Sequence, residues 1–446
     1  MAPPTNCVTA GHSRQLVRAL CSGFMGETPQ EAVAQLYRNH YSELVAPLIR
    51  ILGSFDLAEE VVQDAFAQAI ATWQSQGIPP SPIAWLRRTA RNRAIDQYRR
   101  QSSWQSKREE LARDAAESFS ESPTNQEVHD DALRLIFTCC HPSLAPAAQI
   151  ALTLRTVCGF TTDEAARAML LQPTTLQQRI VRAKRKIDVA KIPFLVPDLD
   201  VLPSRLGTVL KAIYLVFTEG YGATQGDALI RQELCEEAIR LARLLATLLP
   251  NQSSPRAILA LMLLHHSRRN ARTDADGDLI TLEHQDRSTW DTALITEALP
   301  IVEQCLVTPP VSHYAIEAAI AALHASAPTA GDTDWPQITA LYGFLLERAG
   351  GNPVIELNAA VALAMTGRLQ EGLDRLDTLE SSHALPNYHL LPAARGDLLA
   401  RLERWQEAKV AFAAALETVT NDVETRYLER RHREVSQNIT TIEETL

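Results

Sequence analysis

Apolar residues recur along most of this chain at the three- and four-residue spacing of a helix face. Between Ser54 and Trp73, Leu57, Val61, Ala65 and Ala69 fall every fourth residue and predict one buried stripe. Glu59, Glu60, Gln63 and Asp64 are expected elsewhere on the surface of that helix. The turn Gly77-Ile78-Pro79-Pro80-Ser81-Pro82 follows, and its prolines stiffen it. From Ala84 to Arg100, Trp85, Leu86, Ala90, Ala94 and Ile95 can pack inward, which leaves Arg88, Arg91, Asn92, Asp96 and Arg99 as a polar, mainly basic stripe. Further on, Leu176, Ile180, Ala183 and Ile187 form another apolar stripe.

Breaks in this periodicity divide the chain. Residues 1–29 read as a leader, with Met25 as an alternative start, and residues 30–101 as a first helical block. Residues 102–127 are rich in Ser, Glu and Arg and poor in large apolar side chains, so they read as a linker. A second helical block covers 128–190, and Pro193, Pro197 and Pro203 mark its end, because they do not fit inside one helix. Residues 191–330 and 331–446 are helical again, so the expected fold is all-α. In the last part, Gly367-Arg368-Leu369-Gln370-Glu371 and Glu403-Arg404-Trp405-Gln406-Glu407 lie 36 residues apart. That offset is close to the ~34-residue helical hairpin of tetratricopeptide repeats, whose stacks present a binding surface.

Charge changes the picture. The chain of 446 residues carries a net −10, which by itself argues against nucleic acid. Residues 1–191, however, hold 22 Lys+Arg and 19 Asp+Glu, a net +3, while residues 192–446 hold 21 and 34, a net −13. The basic residues cluster at Arg87–Arg100 and Arg179–Lys186, and such local patches attract phosphates. Seven scattered cysteines, an odd number, fit no disulfide scaffold and point to the reducing cytoplasm. No apolar run reaches the ~18–20 residues of a membrane span. Met1–Gly26 has no apolar core behind a basic end, so it does not read as a secretory signal.

The second block has the outline of a helix-turn-helix. Thr161 or Thr162 can cap a helix that begins with Asp163 and Glu164, and Pro173 suits the start of the next one. Thr175, Gln177, Gln178, Arg179, Arg182 and Arg185 then remain available to DNA. Gln and Arg make two-pronged hydrogen bonds to base edges in the major groove, and the N-terminal part of a recognition helix faces them. Gln177 and Gln178 are thus assigned to bases, and Arg182, Lys184 and Arg185 more to phosphates.

An acidic DLAEEVVQDAF helix, a P-x-AWL turn and a basic ARNRAIDQYRR helix, in this order, resemble region 2 of the extracytoplasmic-function sigma factors. The helix-turn-helix resembles their region 4. The resemblance implies that Glu60, Gln63 and Asp64 dock on core RNA polymerase. It implies that Arg88, Arg91, Asn92, Asp96 and Arg99 recognise the −10 element of promoter DNA, and that Thr175 to Arg185 read the −35 element. Residues 192–446 resemble the long C-terminal extension of one sigma subgroup, through Phe217-Thr218-Glu219-Gly220-Tyr221, Gln285 to Asp291 and Tyr427 to Arg431. There the extension regulates or supports sigma activity, with a regulatory protein as a partner. The resemblance covers nearly all of residues 31–434.

Other chemistry was weighed against plainer readings. Glu219, Asp286, Arg287 and Asp291 could be acid/base groups, but ion pairs locking helices together are the expectation. Cys139-Cys140-His141 lacks metal-site spacing, and its cysteines read as small core residues. His265-His266 has no visible third ligand. Asp274, Asp276 and Asp278 lack the glutamate of a calcium loop and read as turn chemistry. No cofactor, metal or catalytic residue is expected. The rival function is a helix-turn-helix regulator whose repeats sense a ligand or protein. It has no need of the acidic Asp56–Phe66 helix.

Overall fold

The computed structural model describes residues 28–101, 125–169, 171–198, 200–222, 229–349 and 351–445, so most of the expected leader and linker lies outside the described residues. These residues are built from helices, and only an isolated bridge, Thr273 with Leu279, pairs extended backbone. Packing divides the chain into two units, residues 1–209 and 210–446.

In the first unit, α1 (Pro29–Leu52), α2 (Phe55–Gln76) and α3 (Pro82–Gln101) pack together. Ser54 caps α2, its hydroxyl accepting from the Leu57 amide at 3.4 Å. Val61, Ala65 and Ala69 are buried as the stripe predicts, and Trp73 meets the edge of Trp85 at 5.5 Å between centroids. α4 (Asn125–Cys139) lies on α1, where Arg50 donates to the buried Asp131 at 3.0 Å. α5 (Pro146–Leu152) widens into a π turn at Thr153–Val157, closed by the Cys158 amide on the Thr153 carbonyl. α6 (Thr162–Ala168) and α7 (Pro173–Val189) complete the helix-turn-helix.

The prolines after Lys191 do not end the unit. Pro203 sits in the first turn of α8 (Leu202–Tyr221), where its missing N–H costs nothing. Leu202 and Leu206 are buried, and Arg205 donates to the Phe137 carbonyl at 2.8 Å.

In the second unit, α9 (Gln232–Leu248), α11 (Thr292–Val307) and α12 (His313–Ser326) surround α10 (Ser253–Ser267). Residues Ala257 to Leu264 are buried without a break, as befits a helix covered on all sides. α13 (Trp335–Ala349) leads to two helical hairpins, α14 (Pro353–Met365) with α15 (Leu369–Ser381) and α16 (Leu390–Arg401) with α17 (Trp405–Thr418). α18 (Asp422–Thr445) packs on α17. The 36-residue offset is structural. Gly367 and Glu403 both turn their hairpins at positive φ, +93° and +59°. Arg368 grips Glu371, and Arg404 grips Glu407, at matching places. Gly372 is required by close approach, since a Cβ there would lie 2.6 Å from that of Ala364.

Tyr214 donates to Glu317, and burial nevertheless pushes this carboxyl up to about 7. An unfolded glutamate titrates near ~4.3. Between these values the folded chain keeps a proton that the unfolded chain releases, so this contribution to stability falls as pH rises and is flat above about 7. Glu317→Gln should remove that slope. Its stability relative to the parent chain is expected to rise from pH 4 to pH 7 in urea titrations, and a constant difference would contradict this assignment.

Candidate polymerase- and DNA-binding surfaces

The polar face of α2 is exposed at Glu60, Gln63 and Asp64, the residues implied to meet polymerase. Two of them are already engaged by α3. Arg93 donates to Asp64 at 2.6 Å and to Gln68 at 3.3 Å, while Gln97 donates to Glu60 at 3.3 Å. On the opposite part of α3, Arg88, Asn92 and Asp96 are exposed. Arg91 is half-buried, and burial lowers the pKa of its guanidinium. The Arg99 side chain lies outside the described residues. Two arginines of the basic cluster serve the fold instead, Arg93 as above and Arg87 by pairing with Glu43 of α1 at 3.0 Å.

In the helix-turn-helix, Thr161 and Glu164 form a reciprocal cap. The Thr161 hydroxyl accepts from the Glu164 amide at 3.1 Å, and the Glu164 carboxylate accepts from the Thr161 amide at 2.8 Å. Leu176, Ile180, Ala183 and Ile187 are buried on α7. Thr175, Gln177, Gln178, Arg182 and Arg185 are exposed and Arg179 is half-buried, so the structure brings these residues to one side of the buried stripe.

Lys184 departs from expectation. It is 7% exposed and bonds Asp56 at 2.8 Å and Glu59 at 3.0 Å, both on α2. It is therefore not placed for phosphates. Glu59, expected on the surface, is 8% exposed and also faces Arg155 at 3.9 Å. Arg155, in the π turn, donates to the Tyr37 hydroxyl at 3.2 Å. The signal for Glu59 was present: Phe55, Glu59, Val62 and Phe66 share a helical stripe, and all four are buried. Lys186 likewise bonds the Ser143 carbonyl.

The acid/base candidates of the extension do not converge. Glu219 pairs with Arg231 at 3.0 Å. Asp286 caps the turn at Ser288, accepting at 2.9 Å, and is exposed rather than buried. Asp291 caps α11 and pairs with Arg269 at 3.0 Å. Arg287 bonds the Ala327 carbonyl at 2.8 Å and makes no ion pair among the described residues. In the aspartate loop, Asp274 accepts from the amides of Asp276 and Asp278, and Asp278 pairs with Arg426 at 2.6 Å. Cys139 and Cys140 are buried in the first unit, and burial raises both thiols, Cys140 to about 11.

Comparison with known proteins agrees with the two blocks. Residues 36–103 match the model for sigma-70 region 2 and residues 134–187 that for sigma-70 region 4. Residues 205–306 match a family of unknown function, DUF6596. The chain is 40% identical over 390 residues to the uncharacterized protein R00370 of Rhizobium meliloti, an alignment covering 86% of this chain and 92% of that one. It is 26% identical over 166 residues to the probable ECF RNA polymerase sigma factor SigI of Mycobacterium tuberculosis, which covers 36% of this chain and 56% of that protein. No described helix is long and apolar enough to cross a membrane. With region 2 preceding region 4, and a helical extension shared with its rhizobial relative, the chain belongs to the extracytoplasmic-function RNA polymerase sigma factors that carry a long C-terminal extension.

Proposed function

We propose that Glu60, Gln63 and Asp64 dock this sigma factor on core polymerase, that Arg88, Arg91, Asn92, Asp96 and Arg99 capture the −10 element as it melts, and that Thr175, Gln177, Gln178, Arg179, Arg182 and Arg185 read the −35 element. The extension supports this work in the cytoplasm by binding, with its hairpin stack as the surface for a regulatory protein, and not by turning over a substrate. The observation that carries the assignment is the exposure of Arg88, Asn92 and Asp96 beside neighbours, Arg87 and Arg93, that the fold consumes. Extruding a base costs a few kcal/mol, which phosphate contacts and stacking on this stripe offset. Run-off transcription with permanganate footprinting tests it. Arg88→Ala with Asn92→Ala should lose open-complex reactivity while duplex binding through α7 persists. Unchanged footprints would rule the stripe out. For polymerase docking, Gln63→Arg is the cleaner probe, since Asp64→Arg would also break the Arg93 pair. Gln63→Arg is expected to lower co-purification with core polymerase, and a parental yield would remove this surface.

The Lys184 pairs support a closed resting form of the first unit. The −10 and −35 elements are centred about 25 base pairs apart, roughly 85 Å at ~3.4 Å per pair. A domain of ~70 residues is about 30 Å across, so two in contact span about 60 Å. Ion pairs of 2.8 Å and 3.0 Å between α7 and α2 do not survive simultaneous reading of both elements. Engaging a promoter therefore opens them.

A further inference from the structure

Three arginines of the extension, Arg268, Arg272 and Arg287, gather around Tyr221, His265 and His324. The Arg272 guanidinium lies 3.8 Å and that of Arg268 5.4 Å from the centre of the Tyr221 ring. The Tyr221 ring is 5.1 Å from that of His265. Among the described residues, no carboxylate lies within ion-pair distance of these three guanidiniums, whereas the neighbouring Arg269 pairs with Asp291 at 3.0 Å. Asp332 is the carboxylate whose field reaches Arg287.

Two of the three charges have partners of another kind. Arg272 donates to the carbonyl of Tyr221 at the end of α8. Arg287 donates to the carbonyls of His324 and Ala327 at the end of α12 and to the Thr333 hydroxyl at 3.0 Å. Helix C-termini carry partial negative charge, so these placements are favourable. Arg268 has no such relief. Its one bond among the described residues is to the Gln285 side-chain oxygen, at 3.4 Å, although a guanidinium offers five N–H donors. Beside it, the Tyr221 hydroxyl and His324 Nδ1 are buried without a hydrogen-bond partner. Burial and the arginines hold His265 down to about 3 and His324 to about 4, so both rings are neutral near pH 7 and add no charge of their own. Buried cations are normally paired, and orphaned buried polar atoms in a native fold call for a partner.

We propose that Arg268 and Tyr221, in the field of Arg272 and Arg287, form a binding site in the extension for a small oxyanion, a carboxylate or a phosphate ester. The planar fork of Arg268 suits either group, and the Tyr221 hydroxyl supplies a second donor. The site lies within the matched family of unknown function and gives the extension a chemical input separate from DNA reading.

Calorimetric titration of the full chain with inorganic phosphate and with citrate, against chloride at equal ionic strength, tests the proposal. One saturable site for phosphate, citrate or both is expected, with no response to chloride. Phosphate alone identifies a phosphate ester as the ligand class, citrate alone a carboxylate. Arg268→Gln should weaken binding at least tenfold, whereas Arg269→Gln, already paired with Asp291, should leave it unchanged. Tyr221→Phe keeps the ring and should weaken binding several-fold, which carries the test if Arg268→Gln fails to fold. No saturable binding to the parent chain overturns the site. So does parental affinity in Arg268→Gln, which would move the anion to the DNA-reading arginines.

Discussion

Lys184→Met is expected to loosen the helix-turn-helix from α2 and to cost about 3 kcal/mol of stability, the lower end for breaking a buried ion pair. The lower end applies because Asp56 is largely exposed and Arg155 remains 3.9 Å from Glu59. The substitution keeps most of the aliphatic stem but leaves Glu59 buried with one distant cation. Adding Glu59→Gln should recover much of the loss, since a buried pair replaced on both sides often comes close to neutral. Urea unfolding measures the stability, and small-angle scattering measures the opening as a larger radius of gyration. If the closed form must open to engage a promoter, Lys184→Met should also form promoter complexes faster with core polymerase. Unchanged unfolding and scattering would show that the pairs hold nothing together.

The second large effect is expected on the recognition helix. Gln177→Ala with Gln178→Ala should lower affinity for the cognate −35 sequence by about 10- to 1000-fold, at about 1–3 kcal/mol for a good two-pronged base contact. Affinity for unrelated duplex should barely change, because neither residue carries charge. Arg182→Ala with Arg185→Ala should do the reverse, weakening all sequences alike and reducing the salt slope by about two. Gel-shift assays over a range of salt separate the two patterns. Equal losses on cognate and unrelated duplex in the glutamine variant would move base reading elsewhere on the unit.

Much of this architecture was legible because it rests on short-range periodicity. Thr161 and Glu164 are three residues apart, and their reciprocal cap follows from that spacing alone. Leu176, Ile180, Ala183 and Ile187 had to face a core wherever the core was. The hairpin repeat was visible as a 36-residue offset, and the turns at Gly367 and Glu403 adopt the same backbone hand. The first alternation of stripe and polar face separated Arg88, Asn92 and Asp96 from the buried side of α3 in the same way.

Which charges stay free was settled by contacts between distant segments. Lys184 looks in sequence like Arg182 and Arg185, yet it meets Asp56, 128 residues away, and is buried with Glu59. Arg87 and Arg93 look like Arg88, yet Glu43 and Asp64 take them. In the extension, Arg268 and Arg269 are adjacent, and one pairs with Asp291 while the other faces Tyr221 with no carboxylate among the described residues. Helical periodicity depends on neighbours three and four positions away, so one sequence determines it together with the order of the helices and their likeness to sigma regions 2 and 4. The partner of a charge depends on what the packed helices bring within about 4 Å, where Coulomb attraction outweighs screening. That proximity exists only once the helices are assembled, and it is why the Lys184 pairs and the Arg268 cluster were decided by the tertiary structure.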